Sequence, residues 1–162
     1  MFLRVYKRTD KKALQHLFFD TVHHVCTAHY AAEQLWAWAP AVPNREAWET
    51  LDKGYCFVVD YEKNPVGFAA MSPDGVLEML YVHKAFQRRG IARQLLRHMM
   101  QWAASHAIPS LFTDASLTAR PFFERHGFQV MATQQPILGG IALPNFRMKK
   151  DLEPSPAIQT SA

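Results

Sequence analysis

The stretch "LYVHKAFQRRGIARQLL", residues 80–96, determines how the rest of this chain is interpreted. An apolar segment runs through a short basic loop into residues with the apolar periodicity of a helix, which predicts a strand, a loop and a helix N-terminus. The first amides of a helix lack intrahelical acceptors and, together with the helix dipole, attract anions. Gly90 permits close approach of the backbone to a ligand. We therefore predict that this junction binds phosphate, most simply a pyrophosphate.

Other phosphate-binding motifs are missing from the sequence. No G-x-G-x-x-G follows a strand, and no G-x-x-x-x-G-K-[ST] occurs, which argues against nicotinamide cofactors and nucleoside triphosphates. A turn of this composition also occurs in α/β proteins that bind no ligand, so the loop alone leaves both interpretations open.

The loop motif and three further segments of the chain resemble parts of one known protein family. The loop motif QRRGIA, residues 87–92, resembles the Q/R-x-x-G-x-G/A signature of the GNAT superfamily of acyl-CoA-dependent N-acetyltransferases, with Ala92 in place of the commoner glycine. "DASLTARPFFERHGF", residues 114–128, resembles the second cofactor-binding segment of that family. With "HYAAEQLWAWAP" (29–40) and "NFRMKK" (145–150), the chain is most similar to a bacterial YafP-like subgroup. The resemblance covers residues 2–150.

This resemblance implies a fold and a cosubstrate. The expected fold is α/β (α+β), a GNAT-type three-layer domain with a mixed, mainly antiparallel sheet of six to seven strands flanked by helices. We expect residues 1–150 to form one domain and residues 151–162 to form a disordered tail, because the tail lacks apolar periodicity. The cosubstrate is acetyl-CoA, whose pantetheine arm binds the backbone of the strand and whose pyrophosphate binds the loop. The residues implied are Leu80, Tyr81, Val82, Gln87, Arg88, Arg89, Gly90, Ile91, Ala92, Arg93, Ser116, Ala119, Phe122 and Phe123.

Periodicity and turn residues predict the individual elements. Strands are expected at 2–7, 55–60, 65–71, 76–82, 110–113, 128–133 and 145–149. Helices are expected from a cap at residues 9–10 to residue 25, around residues 35–38, from a cap at residue 44 to residue 51, from residue 91 to residue 102, and at 118–126.

The chemistry beside a thioester needs a base, because an alkyl amine is protonated at pH 7 and must lose a proton before it attacks. Glu78 is the candidate: it lies on the cofactor strand with the same side-chain parity as Leu80 and Val82. Burial beside an apolar pocket would raise its pKa. The alternative is a solvated or salt-bridged glutamate.

The candidate acid is less clear, because the sequence departs from the family here. Many GNAT enzymes carry a tyrosine four residues before the glycine of the GF pair, where this chain has Phe123. Tyr30 is our candidate donor, Tyr81 and Cys56 are alternatives, and a further alternative is a thiolate that leaves with help only from water and backbone amides. Ser116 replaces a frequent asparagine and faces the cofactor or caps a helix.

Aromatic and imidazole side chains near the N-terminal helices admit three interpretations. His29, Trp36 and Trp38 are predicted to line the acceptor pocket, although such aromatic residues also fill ordinary helix packing. His23, His24, Cys26 and His29 have helical spacing that would suit zinc. No second Cys or His cluster follows, and the family requires no metal, so we predict none.

Composition limits the remaining functions. The chain has 162 residues, a formal charge of +4 and two cysteines, and no stretch reaches the roughly 18 apolar residues of a membrane span. We predict a cytoplasmic N-acetyltransferase acting on a primary amine of a small molecule or peptide. The alternative is a non-catalytic acyl-CoA sensor or partner-binding module, and a nucleic-acid binder is supported only by charge, so neither nucleic acid nor membrane is an expected partner. Homodimers are frequent in the family, and nothing in the sequence identifies an interface.

Overall fold

The computed structural model describes residues 1–153 and contains five α-helices and nine strands in that range. The predicted disordered tail lies outside the described residues from position 154 onward. The helices are α1 (Lys11–Val25), α2 (Ala32–Trp38), α3 (Arg45–Lys53), α4 (Ile91–Ser105) and α5 (Arg120–Arg125). The strands are β1 (Phe2–Val5), β2 (Tyr55–Tyr61), β3 (Asn64–Met71), β4 (Val76–Val82), β5 (Ser110–Ser116), β6 (Gln129–Gln134), β7 (Ile137–Leu138), β8 (Ile141–Ala142) and β9 (Asn145–Asp151).

Seven of these strands form one sheet in the order β1-β2-β3-β4-β5-β9-β6. Every neighbouring pair is antiparallel except β4 and β5, which run parallel. Strands β7 and β8 form a separate small hairpin. The predicted fold class, a mainly antiparallel sheet flanked by helices, is confirmed.

Helices cover both faces of the sheet and bury its apolar residues. Helix α4 packs on one face through Ile91, Leu95 and Met99, which lie on one helical stripe and are fully buried. Helices α1 and α3 cover the other face with Leu14 and Trp48. This arrangement fixes α4 and α1 on opposite sides of strand β4.

A third, smaller apolar cluster lies where α1 and α2 meet. It contains Tyr30, Leu35 and Leu143, all nearly inaccessible to solvent. Leu143 belongs to the connection between β6 and β9, residues 135–144, which we call the strap. The cluster therefore joins the N-terminal helices to a segment more than 100 residues away in sequence.

The element boundaries differ from the sequence prediction at several ends. Strand β1 stops at Val5 because Arg8–Asp10 forms a 3-10 turn, and the Asp10 carboxylate accepts a hydrogen bond from the Lys7 amide (2.7 Å) instead of capping α1. Strand β5 extends three residues further than predicted, to Ser116. The folded part also passes the predicted boundary at residue 150: the Leu152 amide donates to the Pro109 carbonyl (2.9 Å). The β7–β8 hairpin had no signal in the periodicity.

In the range that the structure describes, no helix has both the length and the apolar character needed to cross a membrane.

Candidate active site

Strands β4 and β5 separate part-way along their length and leave a wedge between them. They pair only through Val76 with Phe112 and Leu77 with Thr113. Beyond that point β4 continues beside β3, whereas β5 continues beside β9 as far as Ser116. The edge of β4 beyond Leu77 therefore faces the wedge without a partner strand, so the backbone groups that point to this side, apart from the Val82 carbonyl, are available to a ligand.

Thr113 fixes the apex of this wedge. Its side chain is 4% exposed, and its hydroxyl donates to the Leu77 carbonyl at 3.0 Å. A buried polar group that forms such a bond holds its neighbours strongly, because leaving the carbonyl unpaired would cost free energy. Sequence reasoning missed Thr113; its only signal is a hydroxyl at a buried position of an otherwise apolar strand pattern.

Glu78 is the first residue of β4 beyond the apex. Ala70 and Met71 of β3 pair with Met79 and Leu77, so Glu78 is the extra residue of a β-bulge. Its side chain is exposed, which corrects the expectation of burial in an apolar pocket. The bulge turns a carboxylate toward solvent at the point where the two strands part.

The loop between β4 and α4 presents open amides. Arg88 and Gly90 have positive φ values of 60° and 80°, and Gly90 is the residue before the first turn of α4. No side chain caps this helix, so the first amides of α4 keep their hydrogen-bonding capacity. Successive turns of this kind form a concave surface that suits an anion.

Gly90 has a conformational role more than a steric one. A Cβ at this position would approach only Arg93, at 3.7 Å. Its φ of 80° is a left-handed conformation that other residues adopt at a cost. The glycine therefore sets the direction in which the loop enters α4.

Some of the predicted cofactor residues of the loop are exposed to solvent, and others are buried or half-buried against the protein. Arg88, Arg89 and Arg93 are exposed and add positive charge, although the Arg89 guanidinium also lies 4.9 Å from the Phe86 ring. The Ile91 side chain is buried under α4, so only its backbone is available to a ligand. Ala92 is half-buried beside it.

The side chain of Gln87 is engaged within the protein. Its Nε2 donates to the Val82 carbonyl at 2.6 Å, and the hydroxyl of Thr21 on α1 donates to the same oxygen at 2.9 Å. Because both bonds use one acceptor, the last carbonyl of β4 is saturated. Gln87 and Thr21 thus position the loop, and Thr21, a threonine on the buried stripe of α1, was missed by sequence reasoning.

The second predicted cofactor segment begins at the end of β5. Ser116 accepts a hydrogen bond from the Ala119 amide at 3.0 Å, so its oxygen caps the turn into α5. Phe123 is 3% exposed and packs edge-on against Phe122 and Phe128. The position that holds tyrosine in many family members is therefore part of the core in this chain, while Ala119 and Phe122 are half-buried at its rim.

Tyr30 lies beside this segment with its hydroxyl fully used. The hydroxyl donates to the Pro144 carbonyl at 2.6 Å and accepts from the Leu117 amide at 2.9 Å. Burial raises the pKa of this hydroxyl, which favours its protonated form. The phenol proton is therefore directed at the strap and not into the wedge.

Tyr81 and Cys56, the alternatives to Tyr30 as proton donor, lie in different parts of the structure. Tyr81, on β4, packs against Phe18 at 4.9 Å between ring centroids, and burial raises its pKa. Cys56 lies in the core beneath α1 and α3, where burial raises its pKa to about 12. The structure thus brings Tyr81, but not Cys56, to the strand that borders the wedge.

The aromatic residues predicted to line an acceptor pocket do not share one wall. Trp38 packs on Tyr30 (5.4 Å) and Tyr81 (6.5 Å), on the α2 side of β4. Trp36 is 52% exposed and packs outward against Phe19 and His23. Trp36 and Trp38 therefore lie on different sides of α2, because residues two apart on a helix point in different directions. The structure brings Trp38, but not Trp36, to β4, and the role of both in acceptor binding stays a prediction.

The histidine and cysteine cluster at the end of α1 does not converge. His23 is hydrogen-bonded to the Ala39 carbonyl, His24 to the Asp20 carbonyl and His29 to the Thr118 hydroxyl. Cys26 is buried in the third cluster. Across residues 1–153 no three side chains of the metal-binding types come together. His29, which is exposed, contacts the second cofactor segment instead.

Two other clefts lie near Asp52, at the corner formed by β1, α1 and α3. One is bordered by Tyr6, Tyr55 and Trp102, and the other by Lys11 and Arg45. Neither includes a residue of the wedge or of the loop. The unpaired edge of β4 and the uncapped start of α4 meet in the wedge, so we regard the wedge as the candidate site.

Comparisons with known proteins agree with this geometry. Residues 26–152 match the family model described as an acetyltransferase (GNAT) domain. The chain is 34% identical over 148 residues to the "Uncharacterized N-acetyltransferase YafP" of Escherichia coli (strain K12), covering 91% of this chain and 93% of that protein.

Solved structures share the fold. The "GCN5-Related N-acetyltransferase: Aminotransferase, Class-II" from Rhodopseudomonas palustris superposes with a TM-score of 0.89 at 26% identity, covering 93% of this chain and 95% of that one. A PaiA N-acetyltransferase from Thermoplasma acidophilum, solved with coenzyme A, superposes with a TM-score of 0.71 at 16% identity, covering 93% and 99% of the two chains.

Proposed function

We propose that this chain, which belongs to the GNAT family of acetyl-CoA-dependent acetyltransferases, transfers the acetyl group to a primary amine of a small molecule or peptide. The observation that carries this proposal is the wedge: an unpaired edge of β4 leads from a carboxylate at the apex to open amides at the start of α4. Each part matches one requirement of the reaction.

The loop and the strand edge supply the binding surface. The amides at the start of α4, with the exposed arginines at 88, 89 and 93, would hold the pyrophosphate of acetyl-CoA. The open backbone from residue 80 to residue 82 would bind the amides of the pantetheine arm, except for the Val82 carbonyl, which already accepts two bonds. Ser116 and Ala119 border the opposite side of the wedge.

The free amine of the acceptor would attack the carbonyl carbon of the acetyl thioester. As the C–N bond forms, the C–S bond would break, and coenzyme A would leave as a thiolate that takes up the second amine proton, directly or through water. Glu78 accepts a proton from the acceptor's ammonium group, directly or through water, at the apex of the wedge. Thr113 keeps the two strands at the separation that this geometry needs.

The acceptor side is formed by α2, the strap and β4. Trp38 and Tyr81 provide an aromatic wall there, and Ile137 and Leu138 at the tip of the strap are exposed. These surfaces favour an acceptor with an apolar or aromatic body next to its amine. His29 is hydrogen-bonded to Thr118 of the second cofactor segment, and its role in acceptor binding stays a prediction.

The cell compartment and the assembly state are further parts of the proposal. Cys26 and Cys56 are both unpaired thiols, which suits a protein that works in a reducing compartment such as the cytoplasm. The homodimer stays a prediction, since no contact between copies is described.

The test of the proposed function is a measurement of thiol release from acetyl-CoA across a panel of amines. The panel should include aromatic and aliphatic primary amines, polyamines and peptides with free N-termini. We expect release above the rate of spontaneous hydrolysis with at least one class. Tight binding of acetyl-CoA without release for any class would support the acyl-CoA sensor instead.

A further inference from the structure

We infer that Tyr30 is a positioning residue that couples the acceptor strap to the cofactor segment at the end of β5. The inference deepens the proposed function and rests on it. Tyr30 had been the candidate acid, but its hydroxyl bridges two segments that are distant in sequence.

The two hydrogen bonds of the Tyr30 hydroxyl reach one segment beside the proposed acetyl-CoA site and one segment beside the proposed acceptor site. The Leu117 amide, 2.9 Å away, follows Ser116 at the edge of the wedge where the pantetheine arm is proposed to bind. The Pro144 carbonyl, 2.6 Å away, ends the strap that is proposed to border the acceptor. One oxygen atom therefore links the two halves of the proposed site.

Burial makes this link rigid. Tyr30 is 6% exposed and packs with Leu35 and Leu143. Water cannot easily replace a hydrogen-bond partner that a hydroxyl loses in such surroundings. A shift of the strap is therefore transmitted through the hydroxyl to the cofactor segment, and the reverse also holds. The donated proton is also unavailable to a departing thiolate unless the bond to Pro144 breaks first.

The surrounding bonds allow the two sides to be separated by mutation. Gln34 donates to the Ala142 carbonyl of the strap at 3.0 Å and accepts from the Ala31 amide at 2.8 Å, and it has no hydrogen bond to the cofactor segment. Thr118 is hydrogen-bonded to His29 at 2.9 Å and to Cys26, and it has no hydrogen bond to the strap. Within residues 1–153, the Tyr30 hydroxyl is the one side-chain group that is hydrogen-bonded to both segments.

The experiment compares Tyr30→Phe, Gln34→Ala and Thr118→Val with Tyr6→Phe as the control. Tyr6 also loses a hydrogen-bonded hydroxyl, which donates to Asp52 at 3.2 Å, but it lies away from the wedge. For each variant we would measure hydrogen exchange in residues 116–119 and 141–146, the Kd of acetyl-CoA, and the kcat and acceptor KM.

In Tyr30→Phe we expect faster exchange in both segments, and a rise of about three- to tenfold in both the Kd and the acceptor KM, since one hydrogen-bonded group is lost on each side. We expect the kcat to stay within about threefold and its pH profile to keep its shape. Of the two segments, Gln34→Ala should affect the strap, and with it the acceptor KM, besides loosening the start of α2 that Gln34 caps. Thr118→Val should affect the cofactor segment and the Kd, and Tyr6→Phe neither segment.

Two results would overturn the inference. A fall in kcat of about 100-fold or more in Tyr30→Phe, with the Kd and KM unchanged, would make Tyr30 the acid. Exchange that rises in only one segment would show that the hydroxyl couples nothing. Failure of the wild-type protein to bind acetyl-CoA would instead contradict the proposed function, whereas the exchange experiment tests the coupling without any ligand.

Discussion

At the scale of single residues, Glu78 carries the proposed proton transfer. Replacing it by glutamine removes the base while keeping the size of the side chain at the bulge. We expect the kcat of Glu78→Gln to fall by about 100- to 10,000-fold, the usual contribution of a general base, while the Kd of acetyl-CoA stays within twofold of the wild-type value, about the precision of the titration.

Steady-state kinetics and titration of acetyl-CoA would measure both quantities. Glu46→Gln is the matched control, because Glu46 is an exposed glutamate in the first turn of α3, away from the wedge. An unchanged kcat in Glu78→Gln would remove Glu78 from the mechanism and leave the amine to lose its proton to solvent.

Phe123 and Tyr30 together explain why a search for an acid by sequence position fails. The position of the family's tyrosine is occupied by a core phenylalanine, and the nearest candidate tyrosine has its proton in a hydrogen bond to the strap. The sequence shows the phenylalanine, but it shows neither that this residue is buried in the core nor which groups bind the Tyr30 hydroxyl, because residue type alone does not say where a hydroxyl points.

At the scale of elements, Gly67 sets how closely α4 approaches the sheet. A Cβ on this residue of β3 would lie 2.6 Å from the Ile91 Cγ2 and 3.4 Å from the Leu95 Cδ1. We expect Gly67→Ala to destabilise the protein by about 1–3 kcal/mol through overpacking. Because Ile91 opens α4, the first turn should shift and the Kd of acetyl-CoA should rise.

Chemical denaturation and titration of acetyl-CoA check this prediction. A double-mutant cycle with Ile91→Ala provides the control, because removing Cγ2 relieves the contact and the alanine at position 67 should then cost less. If Gly67→Ala lowers the free energy of unfolding equally in the wild type and in Ile91→Ala, Gly67 does not position the helix.

A second prediction at this scale concerns the ion-pair network that joins β1, β2 and the turn before α1. The Arg4 guanidinium donates to Asp60 at 2.6 Å and to Asp10 at 2.8 Å, and all three side chains are less than one-fifth exposed. Arg4 holds the pKa of Asp10 below its usual value of 3.8. The network therefore stabilises the fold above about pH 4, and this contribution is lost as the pH falls through the folded-state pKa.

We expect Arg4→Met to lower the free energy of unfolding at pH 7 by about 1–3 kcal/mol, since two carboxylates lose a hydrogen-bonded partner. The difference from the wild type should shrink as the pH is lowered below about 4. Denaturation series from pH 3 to pH 7 measure this, with Arg8→Met, an exposed arginine 3.6 Å from Asp52, as the control. A difference that does not depend on pH would contradict the account.

At the scale of the whole molecule, the sequence predicted the family, the enzyme class and the order of elements. These predictions come from local patterns: the apolar stripe of α4, the apolar runs of β2 and β3 on either side of a polar turn, and the glycine before the helix each reflect short-range constraints. The fold class and the GNAT resemblance are confirmed by the sheet order and by the matches to known proteins.

The parts that escaped prediction depend on contacts between distant segments. The apex bond from Thr113 to Leu77 joins two strands separated by a long helix. The bulge at Glu78 depends on the register with β3. The outward direction of Trp36 depends on how α2 packs against α1. Periodicity along one segment carries no information about any of these.

The central claim is that the wedge and its loop bind acetyl-CoA. The most direct test is calorimetric titration of acetyl-CoA into the wild-type protein and into Gly90→Trp. The φ of 80° at Gly90 is unfavourable for tryptophan, whose ring would also cover the open amides of α4. The account predicts one site per chain in the wild type and no detectable binding in the folded variant. Equal affinities in the two proteins would contradict it.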